Sequence, residues 1–369
     1  MAKQTGMRKN FIERLLPGVA SVSLLFLLGI AVTLVFASLP VFQTVSVKDF
    51  IFGTDWRPTA EPPSLGIWSL IVASFYVTVA AILFALPLGL GSAVYIAEIA
   101  NPTMKEILKP IMEILAGIPS VVFGFFGIVF VAPIVQKIFH LNTGLCGFTA
   151  AIILGIMAIP TISSISEDAV SAISKDLRNA SFALGANKWE TIIRAVIPAA
   201  KSGIFTAVIL GISRAMGETM TVLMVAGGAV KVPSSLFDPM RPLTATIAGE
   251  MGEAVGGSAH YHVLFFLGVL LFVITALAFL ATPVFNAVSR HFEHEADRYG
   301  LEVIHGIVPN PNQVAAHYFA KSGETNLSDP DPSTFIKVWF YDHPTRPERV
   351  HFVATYDPWS KGKTPKYVK

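Results

Sequence analysis

Long apolar stretches separated by short polar segments dominate the chain. The apolar runs lie at about 19–39, 66–96, 118–138, 146–165, 203–227 and 262–288. Runs of about 18 or more residues with few charges are typical of helices that cross a bilayer core roughly 30 Å thick. The pattern therefore predicts an all-α membrane protein with six transmembrane helices. The first run also fits a signal peptide that ends near Ala37 and Ser38, although signal-peptide apolar regions usually span only about 7–15 residues.

Composition supports a membrane environment and argues against several soluble classes. The 369 residues are 53% hydrophobic and 14% charged, against about a quarter charged in ordinary soluble domains. The single cysteine, Cys146, excludes a disulfide framework or a cysteine-based metal cluster within the chain. A formal net charge of +2 does not indicate nucleic-acid binding. Membrane lipid is the expected surrounding.

The distribution of basic residues predicts the orientation, because cytoplasmic connections carry the excess of Lys and Arg. With a cytoplasmic N-terminus, residues 1–17 and 290–369 are cytoplasmic and flank a membrane domain at 18–289. The tail at 290–369 is charged and rich in Pro and His, and we expect mixed or irregular structure there. In that arrangement the cytoplasmic side carries Lys3, Arg8, Lys9, Arg14, Lys105, Lys109, Lys175, Arg178, Lys188, Arg194, Lys201 and Arg290, and the other side carries Lys48, Arg57, Lys137, Lys231 and Arg241.

The polar segment 167–198 lies between the fourth and fifth predicted spans. Its apolar residues recur at helical spacing, Gly185 interrupts the pattern, and Pro198 is predicted to end it. We therefore expect a helix, a glycine turn and a second helix. An apolar patch on such a unit suits a groove on a soluble partner. It equally suits an amphipathic connector that lies in the lipid interface.

Two charged residues occur inside the fifth apolar run. Arg214 lies about eleven residues from the start of that run, which at about 1.5 Å per residue is close to the bilayer midplane. Burying a charge there costs about 2.5–3.5 kcal/mol. The i, i+4 spacing places Glu218 on the same helix face as Arg214, where each charge partly neutralises the other. The pair is then either a structural ion pair or part of an anion path, in which Glu218 releases the guanidinium to a tetrahedral oxyanion and Thr219 supplies a hydroxyl.

The segment 179–186, Asn-Ala-Ser-Phe-Ala-Leu-Gly-Ala, followed by Ile197 and Pro198, resembles the EAA loop of ABC-importer permeases. That resemblance implies a coupling helix that seats in an ATPase subunit. Asn179 replaces the usual glutamate, which leaves one polar contact in doubt. The chain lacks the sequence G-x-x-x-x-G-K-[ST], so ATP and Mg²⁺ belong to a separate ATPase dimer and this chain itself binds no cofactor. The coupling residues implied are Asn179, Ala180, Ala183, Leu184, Gly185, Ala186, Trp189 and Pro198.

Three further phrases resemble the phosphate importer permease of the PstC type: 115–124, 213–220 and 243–248. The resemblance covers roughly residues 10–288. It implies a non-enzymatic subunit of the bacterial inner membrane that translocates phosphate, with Arg214 and Glu218 in the path. The implied partners are a PstA-type sister permease, the ATPase and an extracytoplasmic phosphate-binding protein. The residues alone do not separate phosphate from sulfate.

The C-terminal tail resembles a different family. Residues 286–299 and the later Asp342-His343-Pro344-Thr345 resemble the last part of membrane-bound M48 zinc metallopeptidases of the CAAX type. That resemblance implies a third zinc ligand at Glu293 and a supporting carboxylate at Asp297. The H-E-x-x-H arrangement of such enzymes is missing, and catalytic zinc normally takes three protein ligands. We therefore expect a fusion remnant without bound metal, and a zinc endopeptidase is the disfavoured alternative.

Overall fold

A computed structural model describes residues 2–43, 45–173, 175–183, 185–280, 282–325, 332–341, 343–360 and 362–367. Two short antiparallel strands, β1 (Trp56–Arg57) and β2 (Ser64–Leu65), form a ribbon. A 3-10 turn covers Leu39–Gln43, and π-helical turns cover Tyr95–Ile99, Gly127–Val131 and Ile192–Val196. The α-helices are α1 Ala2–Ser38, α2 Val47–Phe52, α3 Trp68–Val94, α4 Pro102–Gly117, α5 Ser120–Phe126, α6 Ala132–Ile138, α7 Gly147–Ser171, α8 Lys175–Ala183, α9 Lys188–Thr191, α10 Ile197–Gly217, α11 Met220–Val225, α12 Leu243–Glu250, α13 Ala259–Leu280, α14 Thr282–Ile304, α15 Pro311–Thr325, α16 Thr334–Phe340 and α17 Arg346–Thr355.

Six helical segments in the described residues are long and apolar enough to cross a membrane, which confirms the predicted all-α fold. The fifth segment differs from its predicted bounds, because it begins at Lys188 and ends at Gly217. Its first turns contain charged residues, so the apolar run in the sequence begins later than the helix does. Its end is set by a helix break at Glu218. The six segments are Gly18–Gln43, Trp68–Ile99, Ser120–Ile138, Gly147–Ser171, Lys188–Gly217 and Ala259–Leu277.

The chain divides into two compact units. The first comprises Met1–Val196 and Gly203–Thr275, and the second comprises Ile197–Ser202 and Ala276–Lys369.

Close packing of α3 against α7 forms the centre of the first unit. A Cβ atom on Gly155 would lie 2.5 Å from a ring carbon of Phe84, and one on Gly89 would lie 2.8 Å from Ile162 Cγ2. Buried alanines of both helices pack together in each of two hydrophobic clusters. Small residues allow helix backbones to approach closely where lipid offers no hydrophobic drive. The two helices therefore form a tightly fitted pair.

The second unit contains four helices, α14–α17, among its described residues. Helix α15 is joined to α17 by Asn312, whose Nδ2 donates to the carbonyls of Val353 (2.8 Å) and Tyr356 (2.7 Å). Glu302 is only 2% exposed and accepts hydrogen bonds from the hydroxyl of Tyr356 and from the backbone N–H of Tyr367. A buried carboxylate needs such partners. The described part of the tail is thus mainly helical, which differs from the mixed or irregular structure predicted for it.

Candidate functional site

The segment between the fourth and fifth spans forms a helical hairpin, which we call the α8–α9 hairpin (residues 175–196). Helix α8 ends at a glycine turn in which Gly185 has a φ of 85°. Its N–H donates to Phe182 O (2.9 Å), and the N–H of Ala186 donates to Ser181 O (3.2 Å). Glycine is favoured there because it adopts positive φ without steric cost. This confirms the predicted helix, turn and helix; Leu184 lies outside the described residues.

Side-chain hydrogen bonds fix the second half of the hairpin. Asn187 and Glu190 form a reciprocal capping box at the start of α9, with both bonds at 2.9 Å. Such a box satisfies two otherwise orphan donors at a helix start. The hydroxyls of Ser181 and Thr191 lie 2.9 Å apart and join α8 to α9. The turn is therefore held from both sides.

The hairpin exposes large apolar side chains. Trp189 is 60% exposed, Ile193 57% and Phe182 47%, whereas Ile192 and Val196 are buried. Clustered apolar exposure marks a surface that another molecule or lipid covers. Of the other predicted coupling residues, Asn179, Ala180, Ala183 and Gly185 are exposed and Ala186 is half-buried.

The prediction that Pro198 ends the second helix is wrong. Pro198 lies in the first turn of α10, directly after the π-helical turn Ile192–Val196. Proline is tolerated at such a start because its missing N–H is not needed there. A π turn also changes which carbonyls require partners. The helical segment consequently runs on from Lys188 to Gly217.

Arg178 of α8 holds the hairpin against the ends of two spans. Its Nε donates to Glu98 Oε1 (3.0 Å), in the π-helical turn that follows α3. It also donates to the carbonyl of Val170 (3.0 Å), at the end of α7, and to that of Ile173. The residues around Arg178 in the sequence predict no site role for it, because nothing in their pattern indicates a partner 80 residues away.

A helix break separates Arg214 from Glu218. Helix α10 ends at Gly217, and Glu218 has an extended backbone with φ −69° and ψ 130°. Its Oε1 accepts from the N–H of Thr221 (3.3 Å), and its carbonyl accepts from the hydroxyl of Thr244 (2.8 Å). The prediction of one shared helix face is therefore wrong, because helical spacing does not continue through an extended residue.

Arg214 contacts neutral groups on two other helices. Its Nη1 donates to Thr161 Oγ1 of α7 (3.1 Å) and its Nη2 donates to Ala116 O near the end of α4 (3.2 Å). Carbonyls at a helix C-terminus carry partial negative charge and favour a cation. Among the ion pairs found in the described part of the chain, none joins a carboxylate to Arg214.

The helix break at Glu218 lies next to a second helix break, between α4 and α5. The hydroxyl of Thr221 donates to Ser120 O (2.9 Å), just beyond the break between α4 and α5. Thr219 is half-buried, donates to Gly217 O (3.2 Å), and lines a cavity of about 250 Å³ with Thr244. Discontinuous helices are typical of substrate sites in membrane transport proteins. Because the fifth span runs from Lys188 to Gly217, Arg214 lies in its last turn, and the predicted position near the middle of the span is wrong.

The two carboxylates that the tail's resemblance singled out hold an arginine. Arg349 Nε and Nη2 donate to the two oxygens of Asp297 (2.9 and 2.5 Å), and Nη1 donates to Glu293 Oε2 (3.3 Å). Carboxylates committed to a guanidinium, without clustered histidines, do not fit catalytic zinc. Across the described ranges, no group of three His, Cys, Asp or Glu is placed to hold a metal ion. Asp342 lies outside those ranges.

Comparisons with known proteins agree on one family. Residues 85–294 match the family model for binding-protein-dependent transport system inner membrane components. The chain is 40% identical over 236 residues to the probable ABC transporter permease protein YqgH of Bacillus subtilis, covering 64% of this chain and 76% of the relative. It is 36% identical over 280 residues to the phosphate transport system permease protein PstC of Mesorhizobium japonicum (70% and 84% covered). It is 31% identical over 274 residues to the protein of the same name from Pasteurella multocida (69% and 83% covered).

Proposed function

This chain belongs to the family of binding-protein-dependent transport system inner membrane components, and from that premise we propose that it is the permease subunit of an ATP-driven importer of inorganic phosphate. As a membrane subunit it is not an enzyme. ATP hydrolysis belongs to a separate ATPase dimer. The further partners are a PstA-type sister permease and an extracytoplasmic phosphate-binding protein. The location is the bacterial inner membrane, with both termini cytoplasmic.

The observation that carries the substrate proposal is the setting of Arg214. Its charge lies within a membrane span at a helix break, and its hydrogen bonds go to a hydroxyl and a carbonyl. A guanidinium with neutral partners retains donors that match a tetrahedral oxyanion. Phosphate and sulfate share that geometry, and the names of the PstC relatives favour phosphate. The hydroxyl of Thr219 borders the same break.

The α8–α9 hairpin is the proposed docking site for the ATPase. Its exposed apolar side chains, Phe182, Trp189 and Ile193, flank a turn that is fixed by hydrogen bonds. A rigid apolar projection suits insertion into a cleft of a soluble protein. The competing interpretation, an amphipathic connector in the lipid interface, fits the same exposure. Asn179 is exposed on α8 and stands where the family's loop usually carries glutamate.

For the tail, we propose a remnant related to M48 peptidases and without peptidase activity. The guanidinium of Arg349 between Glu293 and Asp297 supports this proposal. Metal analysis of the purified protein tests it. We expect zinc well below one equivalent per chain, and stoichiometric zinc together with cleavage of a prenylated peptide would contradict it.

Phosphate uptake in reconstituted vesicles tests the main proposal. We expect ATP-dependent uptake of labelled phosphate when the chain is assembled with its sister permease, ATPase and binding protein, and little inhibition by excess sulfate. Inhibition by equimolar sulfate would assign a broader oxyanion specificity. Absence of ATP-dependent uptake of either anion from a fully assembled complex would reject the proposal.

Docking is tested separately by co-purification of the ATPase. Trp189→Ala removes the most exposed side chain of the hairpin's apolar patch and should release the ATPase. Phe26→Ala, on the first span, removes a comparably exposed aromatic (72% exposed) and serves as the matched control. If both variants retain the ATPase equally, the lipid-interface interpretation of the hairpin is preferred.

A further inference from the structure

Arg178 links the α8–α9 hairpin to the ends of two membrane spans through one guanidinium group. It binds the carboxylate of Glu98, the carbonyl of Val170 in the last turn of α7 and the carbonyl of Ile173 just beyond that helix. The Arg178 and Glu98 side chains are only 17% and 11% exposed. A pair shielded from water in this way is weakly screened by salt, and a fork of charge-assisted bonds fixes direction as well as distance.

The two segments that Arg178 and Glu98 connect each contain a π-helical turn. Glu98 belongs to the turn Tyr95–Ile99, and the hairpin leads into α10 through the turn Ile192–Val196. A π turn interrupts the regular α-helical hydrogen bonding and frequently marks a functional hinge or site. Arg178 thus joins the hairpin to the rest of the first unit where the connecting helices are least regular.

The partners of Arg214 lie on α7 and α4. Helix α7 carries Thr161, which binds Arg214 directly. Helix α4 carries the second partner, Ala116, and is tied to α7 by an ion pair of 2.7 Å between Lys109 and Glu167. Because α3 and α7 are tightly fitted, displacing the end of one displaces the other. A shift of α7 therefore changes both contacts of Arg214.

We propose that Arg178, anchored by Glu98, is the positioning residue that converts a displacement of the α8–α9 hairpin into a joint movement of α3 and α7, and so changes the contacts of Arg214. This inference rests on the proposed function, in which the hairpin seats in an ATPase. Energetic coupling along this set of contacts is measured by combining substitutions at its two ends. The chain offers that measurement, because Glu98 is separate from the docking surface.

The experiment compares Arg178→Gln, Glu98→Gln and the double variant in the assembled complex. For each we would measure ATPase co-purification, ATP hydrolysis and phosphate uptake. We expect assembly and hydrolysis to persist while uptake per ATP falls about tenfold, within the roughly 5–150-fold range typical of coupling between sites. The double variant should be no worse than either single variant, because both remove the same link. Arg57→Gln removes an exposed Arg–Asp pair (70% and 50% exposed) and should leave uptake per ATP unchanged.

The possible failures are distinguishable. If the wild-type complex does not retain its ATPase, the proposed docking function fails rather than the link. If uptake per ATP stays within about twofold of wild type in Glu98→Gln, or if the two single effects simply add, the link is rejected. Should Arg178→Gln not assemble, Arg178→Lys decides. It keeps the charge without the fork, so wild-type uptake in that variant overturns the proposal and a several-fold loss of uptake per ATP supports it.

Discussion

Arg214→Gln is the most direct test of the anion path. The substitution removes the positive charge but keeps a polar side chain that can still bond one of the two present partners, Thr161 and Ala116. Hydrogen bonds to charged groups contribute about 1.5–3 kcal/mol each. If a translocating phosphate accepts two hydrogen bonds from the guanidinium, losing both costs about 3–6 kcal/mol. At about 1.4 kcal/mol per factor of ten, uptake at low phosphate should fall by roughly 100-fold or more.

Two further variants separate the contribution of the Arg214 charge from that of its hydrogen bonds. Arg214→Lys retains the charge and loses the planar fork, so we expect an intermediate loss of about tenfold. Thr161→Val retains the guanidinium and removes one of its neutral partners. We expect this variant to lose about 1 kcal/mol, which corresponds to a several-fold decrease in uptake. The assay is initial uptake of labelled phosphate across substrate concentrations, normalised to assembled complex. If Arg214→Gln transports phosphate within about twofold of wild type, Arg214 is a structural residue and the anion path lies elsewhere.

Three further predictions concern the hairpin and the tail. Gly185→Ala forces a side chain into positive φ, at about 1–2 kcal/mol, and should weaken ATPase co-purification; Gly91→Ala, which meets open space in α3, should not. Hydrogen bonding from Lys366, with Tyr367, lowers the pKa of Glu295 from 4.5 to about 2, so its stabilisation of the second unit is complete above pH 4.5 and disappears as the pH falls toward 2. The melting temperature of the detergent-solubilised protein, followed by circular dichroism, should fall as the pH is lowered from 4.5 to 2. The Glu295→Gln variant should show a smaller fall. Truncation after Arg290 should leave phosphate uptake intact, and loss of assembly would show that the tail supports the membrane domain.

The sequence was sufficient for features that depend on local composition. Six apolar runs predicted the six spans, and Gly185 marked the turn of the hairpin. The break at Glu218 could not be predicted in the same way, because glycine, the residue at position 217, is common inside continuous membrane helices. The contacts that replace the expected Arg214–Glu218 pair come from α4 and α7, far away in the sequence.

The same limit explains Arg178 and Pro198. Arg178 looks like one more cytoplasmic cation until the fold brings Glu98 to it across 80 residues. Pro198 is a normal stop signal in a sequence, yet the preceding π turn places it in the first turn of a continuing helix. Local preferences are weak priors that tertiary context overrides.

The π-helical turns also have a meaning for the history of the chain. In the described residues they occupy Tyr95–Ile99, Gly127–Val131 and Ile192–Val196. A π turn winds in more residues than an α turn, so inserting one residue into a helix produces one without disturbing the packing on either side. Relatives that lack a given π turn should therefore align to this chain with a single-residue gap inside it. The positions of such gaps would show at which point in the family's divergence each turn was gained, and whether the turn that contains Glu98 and the turn that ends the hairpin arose together.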